Sequence, residues 1–322
     1  MALRWNEWRS RLIRRREPLA FVFSGGGALG ALQVGLLRAL LEQGLRPDLV
    51  VGTSVGALNA VFMAHDPTID GVDRLRAIWV RMRRDDLFRG GRVVSAWKAL
   101  RRGSHLYSND GLRRLLETHI PAETFEELAI PAHVVATKID TGEEAWFSSG
   151  GFVEPVLASA ALPGALPPVT IDGVTYVDGG VANNVPVSRA VELGARSIYV
   201  LNVNTAHQHR GLQRPHDFMM HGMVLARAQR YRHDLERYRH EAKIVELPPV
   251  EVGHVHLTDL RQTERLIDSA YESARAFLTG LAGPMGSEGA VRAVAPRGST
   301  KSTDREAAPA REAAPASERD TG

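Results

Sequence analysis

One stretch of this chain restricts its fold more than any other. Phe21 to Ala60 reads FVFSGGGALGALQVGLLRALLEQGLRPDLVVGTSVGALNA. The apolar run Ala20 to Ser24 ends in Gly25, Gly26 and Gly27, and from Ala28 to Leu41 apolar side chains recur three and four apart, the period of a helix. Gly44 stops that helix, a second strand follows at Leu49 to Val51, and Gly52-Thr53-Ser54-Val55-Gly56 leads directly into another helix. This is a βαβ unit, and its crossover makes the two strands parallel, with both carboxyl ends on one edge of the sheet. Open α/β sheets bind ligands at that edge. The triple glycine and Ser54 therefore face each other where chemistry is expected.

Each part has a chemical reason. In Gly-x-Ser-x-Gly the glycines allow so sharp a turn from strand to helix that the serine is held at a strained tip with its hydroxyl exposed. The helix starting at Val55 aims unpaired N–H groups and its positive dipole end at the same spot. Gly25, Gly26 and Gly27 supply further bare N–H donors, and together these make an oxyanion hole. Gly25, Gly27 and Gly30 also spell the G-x-G-x-x-G of dinucleotide sites. That fingerprint wants an acid at the end of the second strand, whereas Asp48 stands before the strand and Ser54 after it.

A serine hydroxyl needs a base within hydrogen-bond reach to become a nucleophile. Downstream, Asn109 to Ile120 reads as a short helix capped by Asn109 or Asp110, and Pro131 introduces a strand at His133 to Ile139. Asp140-Thr141-Gly142 turns that strand back into Glu144 to Phe147, and Asp172-Gly173 marks a hairpin between Val169–Ile171 and Val174–Val177. The hairpin runs into Asp178-Gly179-Gly180, an acid at a strand's end followed by glycines that permit close backbone approach, with Asn183 and Asn184 as nearby hydrogen-bond partners. Asp178 is the candidate base. Among the 12 histidines none sits in a motif. His207, His209, His216 and His221 follow the strand Ser197 to Val203, an order that allows a Ser, Asp, His relay, and are read as surface or core residues.

Composition narrows the class. A length of 322 residues suits a large α/β domain, and 44% hydrophobic with 24% charged residues is the balance of a soluble globular protein. No apolar run is long enough to span a bilayer and no secretory signal is seen, so a cytoplasmic protein is expected. With 0 cysteines there are no disulfides or thiolate metal sites, and the motifs call for neither metal nor cofactor.

The charge is unevenly spread. Residues 1–17 place Trp5, Trp8 and Leu12 at helical spacing among arginines, which fits a basic amphipathic leader on an anionic membrane or a helix packing its Trp on the domain. Between Arg74 and Arg102 stand ten Arg and Lys against Asp85 and Asp86, interleaved with Trp79, Met82, Leu87, Phe88, Val93, Val94 and Trp97. Residues 68–108 thus read as a lid-like insertion whose cations suit phosphate head groups and whose aromatics suit acyl chains. Nucleic acid would use the same charges, but no nucleic-acid module accompanies them. Residues 283–322, rich in Ala, Pro, Gly and Ser, read as a disordered tail.

Four ordered motifs resemble the patatin-like phospholipase family: Ser24-Gly25-Gly26-Gly27-Ala28-Leu29-Gly30, Gly52 to Gly56, Ala158 to Pro163 with Pro167-Pro168-Val169, and Asp178-Gly179-Gly180. The resemblance covers Leu19 to Val203. It implies an α/β, three-layer sandwich over residues 18–282, with a mostly parallel central sheet and the serine elbow after the second strand. It implies a lipid acyl hydrolase of phospholipase A or carboxylesterase type, acting on a lipid or fatty-acyl ester through an acyl-enzyme. Ser54 would be nucleophile and Asp178 base in a Ser-Asp dyad, with Gly25, Gly26 and Gly27 as oxyanion donors and no histidine or metal. The family's glycine motif usually carries Lys or Arg where this chain has Leu29, so a cation near the oxyanion loop is missing. Two rival readings are a membrane-associated protein with this fold and little turnover, opposed by intact Ser54 and Asp178, and a nucleotide-binding protein, opposed by strand placement.

Overall fold

A computed structural model describes residues 17–87, 105–204, 215–250 and 258–282. All lie in the first of two compact units, Met1–Val291; the second, Arg292–Gly322, lies outside the described residues. Outside them too are nearly all of the basic leader, the tail after Ala282, and Phe88, Val93, Val94 and Trp97 of the insertion.

The opening unit is β1 (Leu19–Phe23), a 3-10 turn at Gly27–Leu29, α1 (Gly30–Glu42), β2 (Leu49–Thr53) and α2 (Val55–His65). Gly44, at φ 75°, ends α1 in the left-handed region that glycine adopts freely. Next come α3 (Ile69–Arg81), a single turn at Arg84–Leu87, α4 (Asp110–His119), β3 (Ala132–Lys138), β4 (Glu144–Phe147) and α5 (Val153–Ser159). Asn109 is the N-cap of α4, as expected, but its side chain makes no cap bond, and the N–H of Asp110 donates to Ser108 Oγ. The chain closes with β5 (Val169–Ile171), β6 (Val174–Asp178), α6 (Val187–Glu192), β7 (Ser197–Leu201), α7 (Pro215–Tyr238), β8 (Lys243–Glu246) and α8 (Thr263–Ala282). Asp172 and Gly173 both have positive φ, as the hairpin signal required.

The strands form one mixed sheet in the order β5-β6-β3-β2-β1-β7-β8, with β4 also on β3. Pairs from β3 through β8 along this path are parallel, and β4, β5 and β6 join antiparallel. Alternation along the central strands sorts side chains to two faces. Phe21, Phe23, Val50 and Leu201 pack under α1, α2, α3 and α8; Ala20, Val22, Leu49, Val51, Ile198 and Val200 pack under α6 and α7. The protein is thus a three-layer α/β sandwich.

The register of β3 positions the site. Val134 and Val135 pair with β2 on one side and β4 on the other; Ala136 and Thr137 pair with β6 and β4. A strand has only two hydrogen-bonding edges, so β2 and β6 occupy successive lengths of the same edge. They meet end to end: Thr53 is opposite Val135, and Asp178 is opposite Ala136.

The basic insertion needs correction. Val72, Leu75, Trp79 and Met82 are buried, so α3 is part of the core and its Trp79 is not lipid-facing. Trp79 Nε1 donates to Asn59 Oδ1 at 3.0 Å, Asn59 Nδ2 donates to Gln33 Oε1 at 2.8 Å, and Gln33 Nε2 donates to the Ser24 carbonyl at 2.8 Å. A buried polar chain of this kind is stable only when each member is satisfied, and it runs from α3 to the start of the glycine loop. Arg74 pairs with Asp66, and Arg76 with Glu264 and Asp268 at 3.2 and 3.1 Å, so part of the basic charge is neutralised within the protein.

His133 is buried on β3, and that burial, with the charge of Arg189, lowers its pKa to about 3 from 6.5. The unfolded chain therefore takes up a proton at this residue as pH falls through 6.5 while the folded chain does not. Stability from this source is intact above 6.5 and is lost toward 3, at up to about 1.4 kcal/mol per pH unit. His133→Leu is expected to flatten the pH dependence of the urea midpoint across that window. An unchanged slope would show that another group governs acid unfolding.

Candidate active site

Ser54 has φ 56° and ψ −125°, a backbone conformation costly for a residue with a Cβ. The strain follows from sequence. A Cβ on Gly52 would lie 2.4 Å from the Gly56 carbonyl oxygen, and one on Gly56 would lie 2.5 Å from the carbonyl oxygens of Phe23 and Ser24. Glycine at both positions lets α2 begin against the end of β1, which leaves Ser54 at the tip. Its N–H donates to Ser159 Oγ at 2.8 Å. Ser159, buried at the end of α5, thereby fixes the elbow, a role that the Ala158 to Pro163 motif had not revealed in sequence.

Ser54 Oγ donates to Asp178 Oδ2 at 2.7 Å. The other oxygen, Oδ1, accepts from the Gly180 N–H at 2.7 Å, and the Asp178 carbonyl accepts from Thr137 Oγ1 at 3.0 Å. Gly179 sits where a Cβ would be 2.2 Å from the Val135 carbonyl oxygen, so the chain can leave β6 across β3 only as glycine. Asp178 is 3% exposed. Burial pushes its carboxyl above the ordinary carboxylate range, opposed by the charge of Arg227, the Ser54 hydroxyl and the Gly180 N–H.

The sequence expectation for Asn183 and Asn184 is only half met. Both stand beside the site, but their backbone carbonyls carry the contacts: Thr53 Oγ1 donates to Asn183 O at 2.9 Å and the Gly25 N–H to Asn184 O at 3.1 Å. The Asn183 side chain turns instead to Ser188 and Glu144. The segment after Gly180 thus ties the serine strand to the glycine loop. It also occupies the Gly25 N–H, which cannot then be given to an oxyanion as the sequence reading supposed. Gly26, Gly27 and Val55 are the members of the expected donor set that remain. Gly30 leaves the space that the Val55 side chain fills, since a Cβ there would be 2.4 Å from Val55 Cγ2.

Leu29 is 3% exposed and belongs to the core. A cation there would be buried among apolar side chains, so Leu29 is a packing residue in this chain. Among the described residues no histidine acts on Asp178. His207, His209 and the side chain of His216 lie outside the described residues. Arg227, by contrast, reaches the site from α7, and nothing in the sequence signalled it.

Residues 21–191 match the family described as patatin-like phospholipase, and the chain belongs to that family. Patatin-like phospholipase domain-containing protein ZK370.4 of Caenorhabditis elegans is 33% identical over 211 residues, covering 62% of this chain and 15% of that protein. Lysophospholipase NTE1 of Mycosarcoma maydis is 29% identical over 207 residues, covering 61% of this chain and 10% of its own length. The chain therefore matches only a small part of these relatives. Among solved structures, VipD from Legionella pneumophila overlays 83% of this chain and 67% of its own, with a TM-score of 0.45 and 16% identity. Among the described residues no helix is long and apolar enough to cross a membrane.

Ser159→Ala leaves the Ser54 N–H without its acceptor at a part-buried position, which costs about 1–3 kcal/mol. A lower urea midpoint and slower fluorophosphonate labelling are expected together. If neither changes, Ser159 does not hold the elbow.

Proposed function

We propose that this chain is a lipid acyl hydrolase in which Ser54 is the nucleophile and Asp178 its general base. The observation that carries the reading is the 2.7 Å hydrogen bond from Ser54 Oγ to Asp178 Oδ2, made at a strained elbow that leaves the hydroxyl little freedom. Membership of the patatin-like phospholipase family supports carboxylic esters of lipids as the substrate class, and a relative named as a lysophospholipase supports phospholipid or lysophospholipid among them.

The reaction uses groups already in place. Asp178 Oδ2 accepts the Ser54 proton as Oγ bonds to the ester carbonyl carbon, and the carbonyl oxygen takes the negative charge. The N–H groups of Gly26, Gly27 and Val55, with the positive end of α2 behind Val55, stabilise that charge. The intermediate collapses with cleavage of the ester C–O bond, and the departing alcohol takes the proton from Asp178. The acyl group is left on Ser54. Water then gives a proton to the same carboxylate and attacks, the fatty acid departs, and the proton returns to Ser54 Oγ. Burial of Asp178 favours this role because it raises the carboxylate's basicity toward that needed near neutral pH.

Lipid esters are presented at a membrane surface, and the exposed Arg81 and Arg83 at the end of α3 give the protein cations for an anionic one.

Ser54→Ala should abolish ester hydrolysis and fluorophosphonate labelling with the fold retained. Asp178→Asn should lower kcat/KM by about 100- to 10,000-fold, and His221→Ala should leave it within about tenfold. Labelling that survives in Ser54→Ala would place the nucleophile elsewhere. Labelling without hydrolysis of any acyl ester by the wild-type chain would favour a lipid-binding protein that has lost turnover.

A further inference from the structure

Arg227 has no part in the acyl transfer as described, yet it is built into the turn that carries Asp178. Its Nε donates to the Gly180 carbonyl at 2.5 Å, and the N–H of the same glycine donates to Asp178 Oδ1 at 2.7 Å. A Cβ on Gly180 would lie 2.5 Å from Asn184 Oδ1, 2.9 Å from Asp178 Oδ1 and 3.1 Å from Arg227 Nη2, so the guanidinium, the carboxylate and the Asn184 amide oxygen gather at the bare face of one glycine. Arg227 Nη2 is buried and makes no hydrogen bond among the described residues. A buried donor left unpaired is costly, and in native proteins such a cost points to function.

Resting on the assignment of Ser54 and Asp178 as a dyad, we propose that Arg227 is a positioning residue for acyl transfer. Its fixed charge opposes the effect of burial and favours the ionised form of Asp178, and its Nε bond holds the Gly179-Gly180 turn that aims the carboxylate at Ser54. In a Ser-His-Asp site the carboxylate orients an imidazole and stabilises the positive charge that forms on it. Here the carboxylate is itself the base, and a guanidinium can orient it and supply a fixed positive charge without taking part in proton transfer, because it does not titrate in proteins.

The surroundings single out Arg227. On the same helix Arg230 is engaged by Glu144 and Asp234. On β3, Lys138 pairs with Glu143 and His133 is kept neutral by its burial, while on α6 Arg189 pairs with Glu192. From the start of α2 the Ser54 hydroxyl faces the pair, and the uncharged Asn184 side chain lies beside it at Gly180. Among the described residues Arg227 is the one cation in the set of groups acting on Asp178, and it opposes the effect of burial.

The test is the pH dependence of kcat/KM for a p-nitrophenyl acyl ester, measured on the full chain with active sites counted by fluorophosphonate titration. Removing a cation raises the pKa of the base, so Arg227→Gln should move the acid limb to higher pH by on the order of one unit. At pH values within the shifted limb the rate should fall by up to about tenfold. Arg227→Lys keeps the charge without the Nε bond; it should restore the limb and recover only part of the rate. An acid limb in Arg227→Gln that coincides with wild type, with the rate lowered by one factor at every pH, would reduce Arg227 to a structural prop and overturn the proposal. If Arg227→Gln does not fold, Arg227→Lys decides, since a limb displaced by a full unit despite the retained charge overturns it equally. Asp178→Asn separates the two assignments. Activity surviving in that variant sinks the dyad, whereas an inactive Asp178→Asn beside an unmoved limb in Arg227→Gln sinks only the role of Arg227.

Discussion

One edge of one strand sets the geometry of this protein. β3 gives the first half of an edge to β2 and the second half to β6, and the two strands approach from opposite ends until Thr53 and Asp178 face adjacent residues. Ser54 follows Thr53 directly, so a serine and a carboxylate 124 residues apart in sequence come within hydrogen-bond distance without any loop having to be ordered for the purpose. The glycines around them follow from the same crowding. Gly56 and Gly179 occupy points where the chain passes over a neighbouring carbonyl closer than a side chain allows. Backbone ladders, which are worth little singly and much collectively, thus hold the pair more rigidly than side-chain packing alone would.

That arrangement stores cost at the site. Ser54 stands at an unfavourable φ, and Asp178 is buried deeply enough that its pKa rises above the ordinary 3.8 of an aspartate. Below that value the acid is protonated whether the chain is folded or not. As pH rises from there toward the folded pKa, the unfolded chain ionises more readily, so stability from this residue is withdrawn at neutral pH. The rest of the fold offsets it. The polar chain Gln33–Asn59–Trp79 ties the glycine loop to α2 and α3, and both faces of the sheet are covered by helices.

Much of this was legible in the sequence, for local reasons. The first βαβ unit, the hairpin at Asp172-Gly173 and the elbow at Ser54 are specified by runs and turns a few residues long, and each formed where its residues demanded. The Ser54–Asp178 contact was reachable because both residues end strands and both are flanked by glycines. What remained hidden depends on partners distant in the chain. In sequence nothing marks the Gly25 N–H as bound by the Asn184 carbonyl, Ser159 is one serine in the run Ala158 to Ala161, and Arg227 is one arginine among several on α7. Trp79 misled in the other direction. Among Arg74, Arg76 and Arg81 it resembled an interfacial aromatic, but the i, i+3, i+7 spacing of Val72, Leu75 and Trp79 is that of a buried helix face, and the arginines lie off it.

The central claim is that the end-to-end meeting of β2 and β6 presents a serine, its base and its oxyanion donors as one rigid unit. A crystal structure of the protein after reaction with a long-chain alkyl fluorophosphonate tests it most directly. The account predicts phosphorus on Ser54 Oγ, the phosphoryl oxygen turned toward the N–H groups of Gly26, Gly27 and Val55, and Asp178 still opposite Ala136 with its carboxylate beside Oγ. An adduct on another residue, or a phosphoryl oxygen pointing away from the glycine loop with Asp178 displaced from that register, would contradict it.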